Sequence, residues 1–220
     1  MLTRDTMPDI EKLPESNRRE RLLSELDNTL FTYQDKIDLV LVLEGLKSVC
    51  SIEIVNPAKT AYEPDSENEY IKNTEEFNKS LNMLEELLKE LDLPYHKTTG
   101  HSEEKPGEPA HDFVDFSVGK NQESLEALKK ISAEPDEKKK QAEYGRIFEI
   151  PPTAVEAWAT GRIKNIDTLP DEVKESEMFN FIYFAPSEDH WEEELEFVKR
   201  RVETIKILAP SLYAQTISSD

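Results

Sequence analysis

The chain has a single cysteine, Cys50, only six glycines among 220 residues, and no apolar run approaching the length of a membrane span. One thiol excludes an intramolecular disulfide and a cysteine-rich zinc site. Cys50 lies in the apolar run Val49-Cys-Ser-Ile-Glu-Ile-Val55 and reads as a packed thiol; a nucleophilic role needs a cationic neighbour to generate thiolate. Positive charge is also scarce. Lys and Arg number 27 against 47 Asp and Glu, giving a net charge of −20. Such a surface opposes nucleic-acid binding, which depends on neutralising phosphates, and docking on anionic membranes. It suits a basic protein partner or a cation. Met1 to Pro8 shows no signal-peptide pattern, so the expected location is the cytoplasm. No nucleophile elbow, dinucleotide fingerprint, P-loop or zinc-protease helix is present, and no repeat.

What the chain does have is a dense island, Tyr144-Gly-Arg-Ile-Phe-Glu-Ile-Pro-Pro-Thr-Ala-Val-Glu-Ala-Trp158. A helix entering from Asp136 carries Ala142, Gly145, Ile147 and Phe148 on a broken apolar face. Glycine inside a helix costs about 1 kcal/mol against alanine, so Gly145 signals a close approach of another backbone, or a kink. Pro151-Pro152 stops that helix and opens the next, because a first helical position needs no N–H. Ala154, Val155 and Trp158 give the second helix one apolar side, and Gly161 ends it. The plainest reading is a helix–Pro–helix corner whose aromatics fill the core. The sharper one is a ligand pocket framed by Tyr144, Arg146 and Trp158. The segment Tyr-Gly-Arg…Pro-x-Thr-Ala-Val-Glu-Ala-aromatic resembles one found in a family of small prokaryotic proteins. That likeness covers residues 144–158, and no activity or site residue comes with it.

Along the chain, residues 1–15 read as a flexible arm and 16–220 as one α/β domain, with a sub-boundary near 120–135 as the alternative. A helix from Ser16 or Asn17 to Leu30 carries Arg18, Arg19 and Arg21 at its start, either facing acidic neighbours or binding an anion. A buried helix over Asp35–Lys47 precedes a strand over Val49–Val55. The next helix runs from Glu67 to Leu91, with Phe77, Leu81, Leu84 and Leu88 at helical spacing. Strands over Pro94–Thr99 and Phe113–Val118 form an antiparallel pair across a loop, and a helix follows through Ile131. Phe179–Phe184 reads as a fourth, aromatic strand. The last helix spans Glu188–Leu208 and ends at Pro210. The expected fold class is α/β or α+β, a small mixed sheet of about four strands covered by helices, with a helical C-terminal part.

Three sites come out of this reading. The strand-to-helix turn at Gly119, Lys120 and Asn121 can offer backbone N–H groups and an ammonium to a phosphate or carboxylate, with Tyr144 and Arg146 as further anion ligands. His96, His101, His111 and Asp112, with Glu103 and Glu104 nearby, carry imidazole and carboxylate donors suited to a divalent ion, although their spacing matches no metal signature. Carboxylate pairs are too numerous to single one out. The functional expectation is a binding protein, acting through a protein partner and without a cofactor. The alternatives are an enzyme or sensor for a small anionic metabolite and a divalent-metal-binding protein.

Overall fold

The computed structural model describes residues 31–57, 67–103 and 110–218. The expected arm over 1–15, the helix over 16–30 with its three arginines, and Glu104 lie outside the described residues.

Helix α1, Tyr33–Leu43, starts at a capping box. Thr32 Oγ1 accepts the Asp35 amide, and the Asp35 carboxylate accepts the Thr32 amide. It is shorter at its C-terminal end than the sequence suggested, because Gly45 turns the chain with φ of 70° before Lys47. Strand β1, Val49–Pro57, follows. Helix α2, Glu67–Glu90, leads to β2, Tyr95–Ser102, and β3, His111–Gly119. The expected antiparallel pairing of β2 with β3 is present, and β3 also pairs β1, so the order is β1-β3-β2.

Among the described residues the sheet has three strands, not four, and is antiparallel throughout rather than mixed. The fourth expected strand, Phe179–Phe184, is instead a 3-10 turn over Phe179–Phe181 running into irregular chain. Its aromatic content favours a strand, but Phe181 packs into the core from a turn and no neighbour pairs its backbone as a strand. One sheet face is apolar: Cys50, Ile52 and Ile54 stand opposite Val118, Phe116 and Val114. These pack in one core with Ile37 and Val40 of α1 and Leu81, Leu84 and Leu88 of α2. The alternate residues Ser51, Glu53 and Val55 are exposed, as strand periodicity requires.

The second half is helical. Helix α3, Gln122–Ser132, is capped by Asn121, and α4, Glu137–Ile147, by Asp136. Helix α5, Pro152–Thr160, has the bounds read from the sequence, with Gly161 in the left-handed region as its stop. A 3-10 turn over Ile166–Thr168 and the short α6, Asp171–Lys174, lead to α7, Trp191–Leu208. Pro210 does not only end α7. It opens α8, Pro210–Ile217, as a first-turn proline can, and Leu212 of α8 is buried in the core. Phe181, Val198 and Leu212 belong to the same core as the sheet residues. Among the described residues no helix is long and apolar enough to cross a membrane.

Candidate functional site

The corner between α4 and α5 is built by a notch and a ridge. A Cβ on Gly145 would lie 2.1 Å from Cγ2 of Val155. The close approach expected of this glycine is therefore real, with the Val155 side chain, not a backbone, as the neighbour. The contact lets two short helices pack tightly despite few large core residues. On α5 the buried residues are Ala154 and Ala157.

The aromatics of the corner do not fill the core as the plain reading expects. Trp158 is 59% exposed. It lies one residue, about 100° of helix, round from Ala157, and points with Val155 away from the core stripe. Tyr144 is half-buried and its hydroxyl is 2.9 Å from Ser132 Oγ. Between them runs a groove of about 380 Å³ lined by Tyr144, Ile150, Val155, Trp158, Tyr183 and Phe184 among others. Its walls are almost wholly apolar, and Gln141 is the one amide side chain in the lining. A surface of this kind takes up hydrocarbon or aromatic groups, and the phenols of Tyr144 and Tyr183 are the only ionisable side chains in its lining.

A second cleft, of about 480 Å³, opens where Pro151 and Pro152 meet α7; Arg146, Glu149, Phe197 and Arg200 line it. Glu194, on the first turn of α7, fixes this region. It is buried, and its two carboxylate oxygens accept the Thr153 hydroxyl at 2.6 Å and the Ser187 amide at 2.7 Å. One buried acid thus ties the start of α5 to the start of α7.

Beneath lies a buried charge cluster that the sequence reading missed. Lys47 is 2% exposed and its Nζ is 2.7 Å from Asp38 Oδ2. Arg201 donates through Nη2 to Asp38 Oδ1. Burial works to raise the Asp38 carboxyl, but the charges and hydrogen bonds of Arg201 and Lys47 outweigh it and hold it below its usual range. The face of Tyr183 supports both cations, 4.1 Å from the Arg201 guanidinium and 5.1 Å from Lys47 Nζ. The Tyr183 hydroxyl donates to the Glu149 carbonyl at 2.7 Å. Glu149 has φ of 61°, a conformation that non-glycine residues rarely adopt. Its carboxylate accepts the Ser48 amide at 3.1 Å, and burial pushes its pKa up against that hydrogen bond and the nearby Lys47, Lys120 and Arg201 charges. A sequence signal for the cluster exists in hindsight. Asp38 directly precedes the apolar run Leu39–Leu43, and Arg201 occupies the same stripe as Val198 and Ile205.

The expected anion ligands are dispersed. The Gly119 amide donates to the Pro94 carbonyl at 2.9 Å and the Lys120 amide to the Ser48 carbonyl at 3.0 Å, so both N–H groups of that turn are taken by the fold. The Asn121 side chain is taken too, capping α3 through the Ser124 amide at 2.9 Å. Lys120 is exposed beside Glu149, Tyr144 lines the apolar groove, and Arg146 lines the cleft. The expected metal ligands separate by strand geometry. His101 and Asp112 are register partners 2.7 Å apart on one face. His96, opposite Ser117, and His111, opposite Ser102, sit on the other face, about 20 Å apart along β3. Among the described residues no three His, Cys, Asp or Glu side chains converge as a metal site. Cys50 is fully buried and its thiol is pushed far up by burial, which removes it as a nucleophile.

Comparison of the chain with protein-family models, with curated proteins and with solved structures finds no match.

Proposed function

We propose that this is a cytoplasmic binding protein that receives an apolar anchor of a protein partner in the groove between Tyr144 and Trp158. The carrying observation is the exposure of Trp158 on the rim of an apolar groove. Trp and Tyr at the edge of a desolvated pocket are the residues that dominate protein recognition. Among the described residues other large apolar side chains are exposed too, Leu46 and Ile207 among them, but neither lines this groove. The charge of −20 favours a partner segment with Lys or Arg flanking its anchor, through steering and complementarity at the rim. The single buried thiol suits a reducing compartment.

The test is selection of peptides from a random displayed library against the protein and, in parallel, against Trp158→Ala. The expected result is enrichment of peptides with an aromatic or aliphatic residue next to basic ones. Their binding should move Trp158 emission to the blue and should weaken by about tenfold or more in the variant, the effect of losing a central anchor. Equal binding to both proteins would remove the groove from consideration.

A further inference from the structure

A β-ladder starts and then stops between the segment that follows α5 and the one that precedes α7. Ile163 and Ser187 are antiparallel partners. The Glu188 amide donates to the Arg162 carbonyl at 3.0 Å, and the Lys164 amide donates to the Pro186 carbonyl at 2.8 Å. Pro186 has no N–H to return, so that rung carries a single bond. In the same register the next hydrogen-bonded pair is Ile166 with Phe184. It does not form, because Ile166 instead opens the 3-10 turn that Asn165 caps. The amides and carbonyls of Tyr183, Phe184 and Ala185 are left without a hydrogen bond among the described residues. A row of unpaired backbone groups is a template for another chain.

Where the two segments part there is a cleft of about 650 Å³, lined by 163–166 on one side and 182–186 on the other. Ligand sites have volumes of about 300–1,000 Å³. Ile163, Ile166, Ile182 and Phe184 make its lining largely apolar. The rung between Lys164 and Pro186 closes one end, so a chain that enters and pairs with Phe184 has to terminate there. Lys164 decides which terminus that is. It is the one charged residue of the lining. It has no ion pair among the described residues, and its ammonium stands 5.3 Å from the centre of the Trp191 ring. A cation at the closed end attracts a carboxylate and repels the ammonium of an N-terminus.

We propose that this cleft receives the C-terminal tail of a partner protein. A few apolar residues run parallel to Tyr183–Ala185, exchange main-chain hydrogen bonds with Phe184 and place the terminal carboxylate at Lys164. Strand addition of this kind draws affinity from the backbone and selectivity from the flanking side-chain pockets. The cleft shares Tyr183, Phe184 and Ala185 with the Tyr144–Trp158 groove, but Trp158 does not line it. Occupation of the cleft is therefore independent of an anchor in that groove.

The experiment offers two libraries of short random peptides to the full-length protein, one with a free C-terminal carboxylate and one ending in carboxamide. Each is also offered to Trp158→Ala, in which Trp191 is the one remaining tryptophan. The expected result is enrichment from the carboxylate library alone, in both proteins, with an apolar last residue. Bound peptide should shift Trp191 emission as the ammonium leaves its ring, and should protect the Phe184 amide from hydrogen exchange. Lys164→Gln should weaken binding by about tenfold or more, the loss of one charge-assisted contact, and Lys164→Arg should retain it. Equal enrichment from the two libraries, enrichment from neither, or unchanged binding in Lys164→Gln overturns the proposal. Peptides that bind the parent but not Trp158→Ala occupy the groove, and a selection yielding only these overturns it too.

Discussion

The Val155 side chain fills the space that any side chain on Gly145 would need, with Cγ2 only 2.1 Å from the position of the absent Cβ. Two effects of Gly145→Ala therefore oppose each other. Helix propensity favours alanine by about 1 kcal/mol, while forcing a methyl into a filled site costs about 1–3 kcal/mol. Steric overlap as severe as this should win. The variant should melt lower than the parent by several degrees, and adding Val155→Ala should recover much of the loss. Additive effects in the double variant would show that the two side-chain positions are not in contact.

Asp38 is the counter-ion of two buried cations. Asp38→Asn keeps the shape but strands Lys47 and Arg201 in a low-dielectric interior. Breaking a buried pair in this way costs about 3–5 kcal/mol, so a loss of that order in urea unfolding is expected. A loss below about 1 kcal/mol would mean that the cluster is hydrated and not buried. The depressed Asp38 carboxyl also has a pH signature. Its contribution is present above the unfolded value near 3.8 and disappears as pH falls through the lower folded value, so acid destabilisation should be weaker in Asp38→Asn than in the parent.

Glu149 works in the opposite sense. Its folded pKa lies above the ordinary 4.5 because burial disfavours the charge. The ionised form is therefore a burden on the fold that appears as pH rises through that folded value and is absent in acid below 4.5. Glu149→Gln retains an oxygen for the Ser48 amide and should raise the melting temperature at pH 8 while leaving it unchanged at pH 4. Equal effects at the two pH values would sink this assignment.

Trp158 tests the corner directly. Because it is mostly exposed, Trp158→Ala should alter stability by no more than about 0.5 kcal/mol, and the emission lost should be the red, solvent-exposed part. A loss of about 3–5 kcal/mol, as for a core tryptophan, would return it to the interior.

How far the fold was legible depended on whether a signal was local. The alternation of Phe113 to Val118, the leucine stripe of α2 and the Pro152–Gly161 bracket of α5 are written in consecutive residues, and each appears in the structure. Phe179–Phe184 looked like a strand because aromatic residues favour sheets wherever they lie. Whether a strand forms depends on a partner supplied from elsewhere, and none is placed there among the described residues. Trp158 was misread for a similar reason: helical spacing gives its azimuth on α5, but which azimuth meets the core is set by the elements packed against it, and those cover Ala154 and Ala157. The Arg146–Arg200 cleft joins residues of α4 and α7, and no spacing rule relates them. With 34% of residues charged, partners in the Asp38–Lys47–Arg201 cluster cannot be selected by residue type alone.

The bond from Arg201 to Asp38 spans 163 positions of sequence. A ribosome delivers Asp38 well before Arg201, so until α7 follows this carboxylate lacks one of its two buried cations. The emerging protein cannot complete its interior until α7 is out of the exit tunnel. Long-range closure of this kind slows folding, and the part of the core that α7 completes with Val198 and Ile205 stays open in the nascent chain, where chaperone capture would have its longest opportunity.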